Sequence, residues 1–138
     1  MSYPHTHGAL NAYHQVGVNA AVSDANPHQL IQMLLNGALE KLASAKGHML
    51  RKNLEKGSCI SRVISILDGL RESLNFEVGG EIAENLNQLY EYCQRRLLQA
   101  NADNDPRLLD EVTALLREIK IAWESIPAQV DDTESAVV

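Results

Sequence analysis

Apolar residues recur every three or four positions in four separate segments of the chain, which predicts four amphipathic α-helices. The first begins at Asn26-Pro27, where asparagine is a good N-cap and proline suits the first helical position. The second follows Gly57-Ser58, and the third follows a break at Val78-Gly79-Gly80. The fourth begins at Asp105-Pro106 and ends at Pro127. No segment shows the alternating pattern that predicts a β-strand.

These helices each carry an apolar stripe, and the stripes together predict the core. Four helices of about 18–25 residues with short connections favour an all-α fold, an antiparallel up-down four-helix bundle. We expect residues 1–23 to form an N-terminal arm, residues 24–127 the helical bundle, and residues 128–138 a flexible, disordered acidic tail. The predicted core consists of Leu30, Ile31, Leu34, Leu35, Ala38, Leu42, Ala45, Met49, Ile60, Val63, Ile64, Leu67, Leu70, Leu74, Ile82, Leu86, Leu89, Cys93, Leu97, Ala100, Leu109, Val112, Leu116, Ile119, Trp123 and Ile126.

Composition and charge narrow the class of function. The 138 residues carry a formal net charge of −6, which argues against binding nucleic acid through phosphate contacts. No apolar run reaches the roughly 18–20 residues of a membrane-spanning helix. The first ten residues lack the basic and apolar regions of a secretory signal, so we expect a cytoplasmic protein. Cys59 and Cys93 are then expected to be reduced and to lie in the core.

The sequence offers no set of residues for catalysis. A di-metal bundle needs a Glu-x-x-His motif on two helices, and none of the five histidines has an acidic residue three positions before it. His5 and His7 alone are too few to hold a metal. Glycine-rich phosphate loops and the Gly-x-Ser-x-Gly motif are missing. We therefore expect a protein that is not an enzyme and binds no metal or cofactor.

Several helices carry apolar residues beside or opposite the core stripe, which predicts a groove for a partner segment. The alternative interpretation is a wide core with a few exposed leucines. In the N-terminal arm, Tyr13, Val16 and Val18 alternate with polar residues, so this stretch is a candidate for docking on the bundle. The additional residues on the helices are Leu39, Ile66, Tyr90, Tyr92, Leu98, Leu108, Leu115 and Ile121.

The third segment carries a specific signature. It runs Gly79-Gly80-Glu81-Ile82-Ala83, Asn85-Leu86, Leu89-Tyr90, Tyr92, Arg95-Arg96-Leu97 and Ala100-Asn101. This signature resembles that of the flagellin-specific export chaperone family, the FliS type. The stretch that begins at Tyr13, the first helix from Asn26 to Leu39 and the last helix from Leu109 to Trp123 are also similar to that family. Departures are Leu35, where the family usually has an aromatic residue, and Asn36, where an acidic residue is common.

The resemblance implies a concrete function. Members of the family are cytosolic helical bundles that bind the disordered C-terminal region of flagellin, prevent its premature polymerisation and keep it competent for flagellar type III export. It further implies an N-terminal arm that lies over part of the binding surface. The flagellin C-terminal segment is therefore the expected partner. The flagellar export gate is a second candidate partner, and a homodimer remains open.

The candidate contacts for the partner follow from both lines of reasoning. On the third helix, Asn85, Tyr92 and Arg96 share a face one step round from the core, although Tyr92 at a helix seam and a solvated Arg96 are an equally good interpretation. The other candidates are Tyr13, Ile66, Leu98, Leu115 and Ile121. Two alternatives to the chaperone function remain: a non-enzymatic adaptor or regulator that binds another component of the flagellar export system, and a metal or cofactor bundle.

Overall fold

The computed structural model describes residues 26–126, and the described chain forms four α-helices without a β-strand. Helix α1 spans Pro27–Leu50, α2 spans Glu55–Glu72, α3 spans Phe76–Asp103 and α4 spans Pro106–Glu124. The prediction of an all-α fold is confirmed. The predicted arm and tail, with the candidate Tyr13, lie outside the described residues.

The helix starts follow the capping chemistry expected from the sequence. The Asn26 side chain accepts from the backbone N–H of Gln29, and the Gln29 side chain accepts in return from the Asn26 N–H, which completes a capping box. Asp105 caps α4 in front of Pro106 by accepting from the N–H of Arg107. These two predicted starts are confirmed. Helix α2 begins at Glu55, before the expected Gly57-Ser58.

The expected break near Val78 to Gly80 is a kink inside α3. Asn75 caps the first turn of this helix, and Gly80 then adopts φ 52° and ψ −125°. A side chain at this φ would be strained, so glycine is the residue that the kink requires. The short turn Phe76–Gly79 is therefore joined at an angle to the long part of α3.

Contacts between side chains show that α1 runs antiparallel to α4 and that α2 runs antiparallel to α3. His28 at the start of α1 bonds to Trp123 at the end of α4, and Lys46 near the end of α1 pairs with Asp110 near the start of α4. Lys56 at the start of α2 donates to the carbonyl oxygen of Asn101 near the end of α3. Each helix contacts the next one along the chain, and α1 also contacts α4.

The core is made almost entirely of the predicted stripe residues. All four helices contribute fully buried aliphatic side chains, among them Leu34, Leu67, Leu97 and Leu116. Cys93 is buried, and Cys59 is partly buried against the core. One stripe residue is an exception: Ile82 is 60% exposed, so its assignment to the core is wrong. It lies two residues after the kink, close to the end of the bundle.

None of the helices in residues 26–126 combines the length and the apolar character that a membrane crossing requires.

Candidate functional site

A polar cluster joins α3 and α4 at their solvent edge. The Tyr92 hydroxyl donates to one carboxylate oxygen of Glu111 at 2.5 Å, and Arg96 Nε donates to the other at 2.8 Å. Arg96 and Glu111 are each about one-third exposed. The guanidinium carbons of Arg95 and Arg96 lie 5.9 and 5.7 Å from the centre of the Tyr92 ring, within the range of cation–π attraction.

This cluster shifts the protonation equilibria of its members. The hydrogen bonds from Tyr92 and Arg96 lower the pKa of Glu111, because they favour its ionised form. The same bond to Glu111 raises the pKa of Tyr92, and the bond and ion pair with Glu111 raise the pKa of Arg96. At neutral pH the cluster thus holds a carboxylate, a neutral phenol and a guanidinium, with donors on Arg95 and Arg96 left toward solvent.

Apolar side chains extend from this cluster along the seam between the two helices. Leu115 lies one turn after Glu111 on α4 and is partly buried against the core. On α3, the exposed Asn85 lies two turns before Tyr92, and Ile82 lies on the same side of the helix. We call this surface the α3–α4 seam. By helical spacing, its part-buried apolar residues that pack against the core are Leu108, Leu115 and Ile119 on α4.

The structure thus brings four of the predicted site residues, Asn85, Tyr92, Arg96 and Leu115, to one surface. The Tyr92 side chain lies at a helix seam, as the alternative interpretation proposed, and remains partly open to solvent.

Two other predicted residues lie on different surfaces. Leu98 follows Gln94 by one turn, and Gln94 bonds to α2 through the carbonyl oxygen of Ile64, so Leu98 is on the side of α3 that faces α2. Ile121 shares a face of α4 with Asp110, which pairs with α1. Both are well exposed, at 61% and 62%.

The prediction that Ile66 is available to a partner is wrong, because its side chain is completely buried. Helix α2 contacts α3 through the Ile64 backbone and Arg71. A residue two positions after Ile64 lies on the opposite flank, which faces α1. Gly69 and Ser73 continue the same flank and are also buried. Packing against α1 therefore widens the buried arc of α2 beyond one stripe.

Sequence reasoning missed two features of the structure. Glu111 is the acceptor that joins Tyr92 to Arg96, and only the pairing of α3 with α4 shows this. His28 and Trp123 form a buried pair: Trp123 Nε1 donates to the His28 carbonyl oxygen at 3.0 Å, His28 Nε2 lies 3.1 Å from the Trp123 carbonyl oxygen, and their rings stack at 4.9 Å. A histidine next to the apolar stripe of α1 was a signal for such a partner.

The described residues offer little for metal chemistry. Within residues 26–126, no group of three or more His, Cys, Asp or Glu side chains is placed to hold a metal ion. Burial raises the pKa of the Cys93 thiol to about 12, so this thiol stays protonated and unreactive at neutral pH. The surface described above combines hydrogen-bond donors with apolar side chains that are partly open to solvent.

Comparison with known proteins assigns this architecture to a family. The family model described as "Flagellar protein FliS" matches residues 9–130. The chain is 55% identical over 119 residues to the flagellar secretion chaperone FliSB of Pseudomonas aeruginosa, covering 86% of this chain and 94% of that protein. It is 42% identical over 132 residues to flagellar secretion chaperone FliS of Vibrio cholerae, with 95% and 97% covered. The corresponding protein of Salmonella typhimurium is 44% identical over 133 residues, with 95% and 98% covered.

Proposed function

Because the chain belongs to the FliS family of flagellar secretion chaperones, we propose that it binds the disordered C-terminal region of flagellin in the cytoplasm. Binding masks the segment through which flagellin polymerises and keeps the subunit competent for flagellar type III export. The protein acts without catalysis and without a cofactor. We take the α3–α4 seam as the main part of the binding surface.

The observation that supports this proposal best is the composition of the α3–α4 seam. Its apolar side chains rest on the core yet remain partly open, so a partner can complete their burial without disturbing the bundle. The polar cluster of Tyr92, Arg96 and Glu111 lies beside them and offers donors to the backbone of an extended segment. Such a surface suits a disordered client better than a preformed globular one.

The energetics of binding require a long surface. A disordered segment that folds on its partner pays about 2–5 kcal/mol or more in ordering, and such complexes bury about 1,000–3,000 Å². The α3–α4 seam alone is one groove, so we propose that the client also reaches the exposed Leu98 and Ile121 on the neighbouring faces. The N-terminal arm with Tyr13 is proposed to contact part of the same surface in the absence of client.

Isothermal titration with the C-terminal segment of flagellin from the same cell tests the function. We expect a one-to-one complex with a negative heat-capacity change, which is the mark of apolar burial. If intact flagellin segment gives no heat and does not co-elute, the chaperone proposal is wrong. Binding of another component of the flagellar export system, such as the export gate, in its place would support the adaptor function.

Three exposed aliphatic residues form a matched set for locating the client. Ile82, Leu98 and Ile121 are 60%, 61% and 62% exposed, and they lie on three different faces. We expect Ile82→Asp to weaken client binding by at least about tenfold, and Leu98→Asp and Ile121→Asp to weaken it less. Ser44→Asp, at an exposed position on α1 away from these faces, is the control for added charge. Equal effects of Ile82→Asp and Ser44→Asp would exclude the α3–α4 seam as the main surface.

A further inference from the structure

The connection between α1 and α2 exposes two leucines at the end of the bundle far from His28 and Trp123. Leu50 is 62% exposed and Leu54 is 88% exposed, the highest value of any large apolar side chain in residues 26–126. Neither residue lies on the α3–α4 seam, and neither belongs to the proposed client surface. Their exposure has no role in the function proposed above.

The backbone of this connection is ordered by its own hydrogen bonds. The N–H of Asn53 donates to the carbonyl oxygen of His48, and the N–H of Lys52 donates to that of Met49. This is the pattern of a Schellman motif, and Lys52 adopts the left-handed φ of 57° that the motif requires. The Asn53 side chain then accepts from the N–H of Glu55 at the start of α2. The backbone that carries the two leucines is thus held in place.

Basic side chains surround the two leucines. Arg51 and Lys52 are exposed. The Arg51 guanidinium bonds to His48 Nδ1, and no carboxylate within residues 26–126 pairs with Arg51 or Lys52. Lys56 follows in the first turn of α2, and Glu55 is the one acidic residue of the connection. An apolar pair with a cationic rim favours a partner that is both apolar and acidic.

The acidic side chains of this sequence outside residues 26–126 do not supply that partner. Helix α1 separates this end from Asn26 by about 36 Å, from 24 residues at about 1.5 Å each. Asp24 is the one acidic residue before Asn26 and is too close to it to reach. The tail carboxylates of Asp131, Asp132 and Glu134 lie five to eight residues after Ile126, a reach of at most about 28 Å.

We propose that Leu50, Leu54, Arg51 and Lys52 form a second docking surface, which binds an acidic amphipathic segment of another protein. Because this surface lies apart from the α3–α4 seam, a client segment that lies on the seam leaves it open. The proposal does not depend on the identity of the client.

Two fluorescent synthetic helical peptides test the proposal with the full-length protein. Both carry leucines at positions i, i+4 and i+7, and the remaining positions are glutamate in one peptide and lysine in the other. We expect the glutamate peptide to bind at least about tenfold more tightly by fluorescence anisotropy, with an affinity that falls as salt is added. Equal binding of the two peptides would show a merely apolar patch and overturn the proposal.

Leu54→Asp is the informative variant. Leu54 precedes the first turn of α2 and makes no side-chain cap. A negative charge at this position suits the helix dipole, so the variant should fold. We expect it to weaken binding of the glutamate peptide by at least about tenfold. The affinity for the flagellin segment should stay unchanged. Ala114→Asp adds the same charge on α4 and should leave the affinity for the glutamate peptide unchanged. Lys52→Glu keeps the leucines and should abolish the preference for the glutamate peptide.

Three further results would overturn the proposal. The first is an equal effect of Leu54→Asp and Ala114→Asp on the glutamate peptide. The second is binding to vesicles that contain phosphatidylglycerol, lost in Leu54→Asp, without binding of the peptide; it would assign the surface to a membrane. The third is self-association that Leu54→Asp abolishes, in which the surface contacts the exposed Phe76, Val78 and Glu81 of a second copy.

Discussion

The contact between α1 and α2 differs in chemistry from the contact between α3 and α4. The flank of α2 that faces α1 buries Ile66, Gly69 and Ser73, and the Ser73 hydroxyl donates to the carbonyl oxygen of Leu70 within its own helix. The α3–α4 seam instead leaves its apolar side chains half-open and carries the polar cluster of Tyr92, Arg96 and Glu111. Closed packing on one side of the bundle supplies stability, and the open seam on the other side is available for recognition.

This difference has a physical origin in side-chain size. Small residues at Gly37, Gly69 and Ser73 are buried where α1 and α2 approach each other. At the α3–α4 seam, the large polar side chains of Tyr92 and Arg96 lie where a closer approach would need small ones. The seam therefore stays open at its solvent edge. The loss of packing energy is moderate, because the polar groups of the seam bond to each other.

The largest expected effect is on the closed flank. Ile66→Ala removes a fully buried side chain and should lower the free energy of unfolding by about 2–5 kcal/mol, measured by urea denaturation. Leu115→Ala on the α3–α4 seam should cost less, because its side chain is already partly exposed. Equal losses in the two variants would contradict the comparison.

The contact between α1 and α4 should give an intermediate effect. Trp123→Phe keeps a ring beside His28 but removes the donor to the buried His28 carbonyl oxygen. We expect a loss of about 0.5–1.5 kcal/mol in the free energy of unfolding, the net contribution of one hydrogen bond, because the His28 carbonyl oxygen keeps its acceptor role within helix α1. Tyr92→Phe, which removes a donor at the open seam, is the control and should destabilise less. An unchanged Trp123→Phe midpoint in urea would mean that water replaces the lost donor.

The α1–α2 connection offers a stabilising change. Lys52 has a left-handed backbone, which costs a residue with a side chain about 1–2 kcal/mol, and Lys52→Gly relieves that strain. The extra freedom of glycine in the unfolded chain opposes this gain by about 0.5–1 kcal/mol. A gain of up to about 1 kcal/mol should follow in thermal or urea unfolding. Arg51→Gly, at a φ of −89°, should destabilise instead. A loss in both variants would show that the Lys52 side chain itself stabilises the connection.

The smallest effect concerns pH and is confined to the open seam. The pKa of Glu111 is lowered in the folded protein, so its contribution to stability is present above the ordinary glutamate pKa of about 4.3 and is lost as pH falls through the lowered value. In NMR titrations, Tyr92→Phe and Arg96→Gln should both raise the pKa of Glu111. Ile66→Ala should leave it unchanged. A pKa of Glu111 that stays low in both seam variants would exclude the bonds as its cause.

Local chemistry explains which parts of the fold could be predicted from the sequence. The capping residues Asn26 and Asp105 act within one turn, so their helix starts were predictable. The stripe residues predicted the core, except Ile82 beside the kink at Gly80. The burial of Ile66 could not be predicted from the sequence. An apolar stripe marks the centre of the buried face of a helix, but the width of that face depends on how the neighbouring helix packs against it.

The candidate site was harder to predict, because it depends on which helices are neighbours. Asn85, Tyr92 and Arg96 share a face of α3 by helical spacing alone. Their connection to Glu111 and Leu115 requires the pairing of α3 with α4, and Leu98 and Ile121 were predicted without knowledge of which faces they occupy. The position of His28 beside the apolar stripe signals that it has a partner, but only the pairing of α1 with α4 identifies that partner as Trp123, far away in the chain.

The contact between His28 and Trp123 also brings the two ends of the bundle next to each other. His28 and Trp123 touch, so the chain enters the bundle at Asn26 and leaves it at Ile126 side by side. A short flexible linker between these points would give a closed chain that can be cut in another connection, so a permuted gene that begins with α2 and ends with α1 should encode the same bundle. A passenger peptide fused after Ile126 would begin next to the first turn of α1, and tethering would raise its local concentration at that end of the molecule.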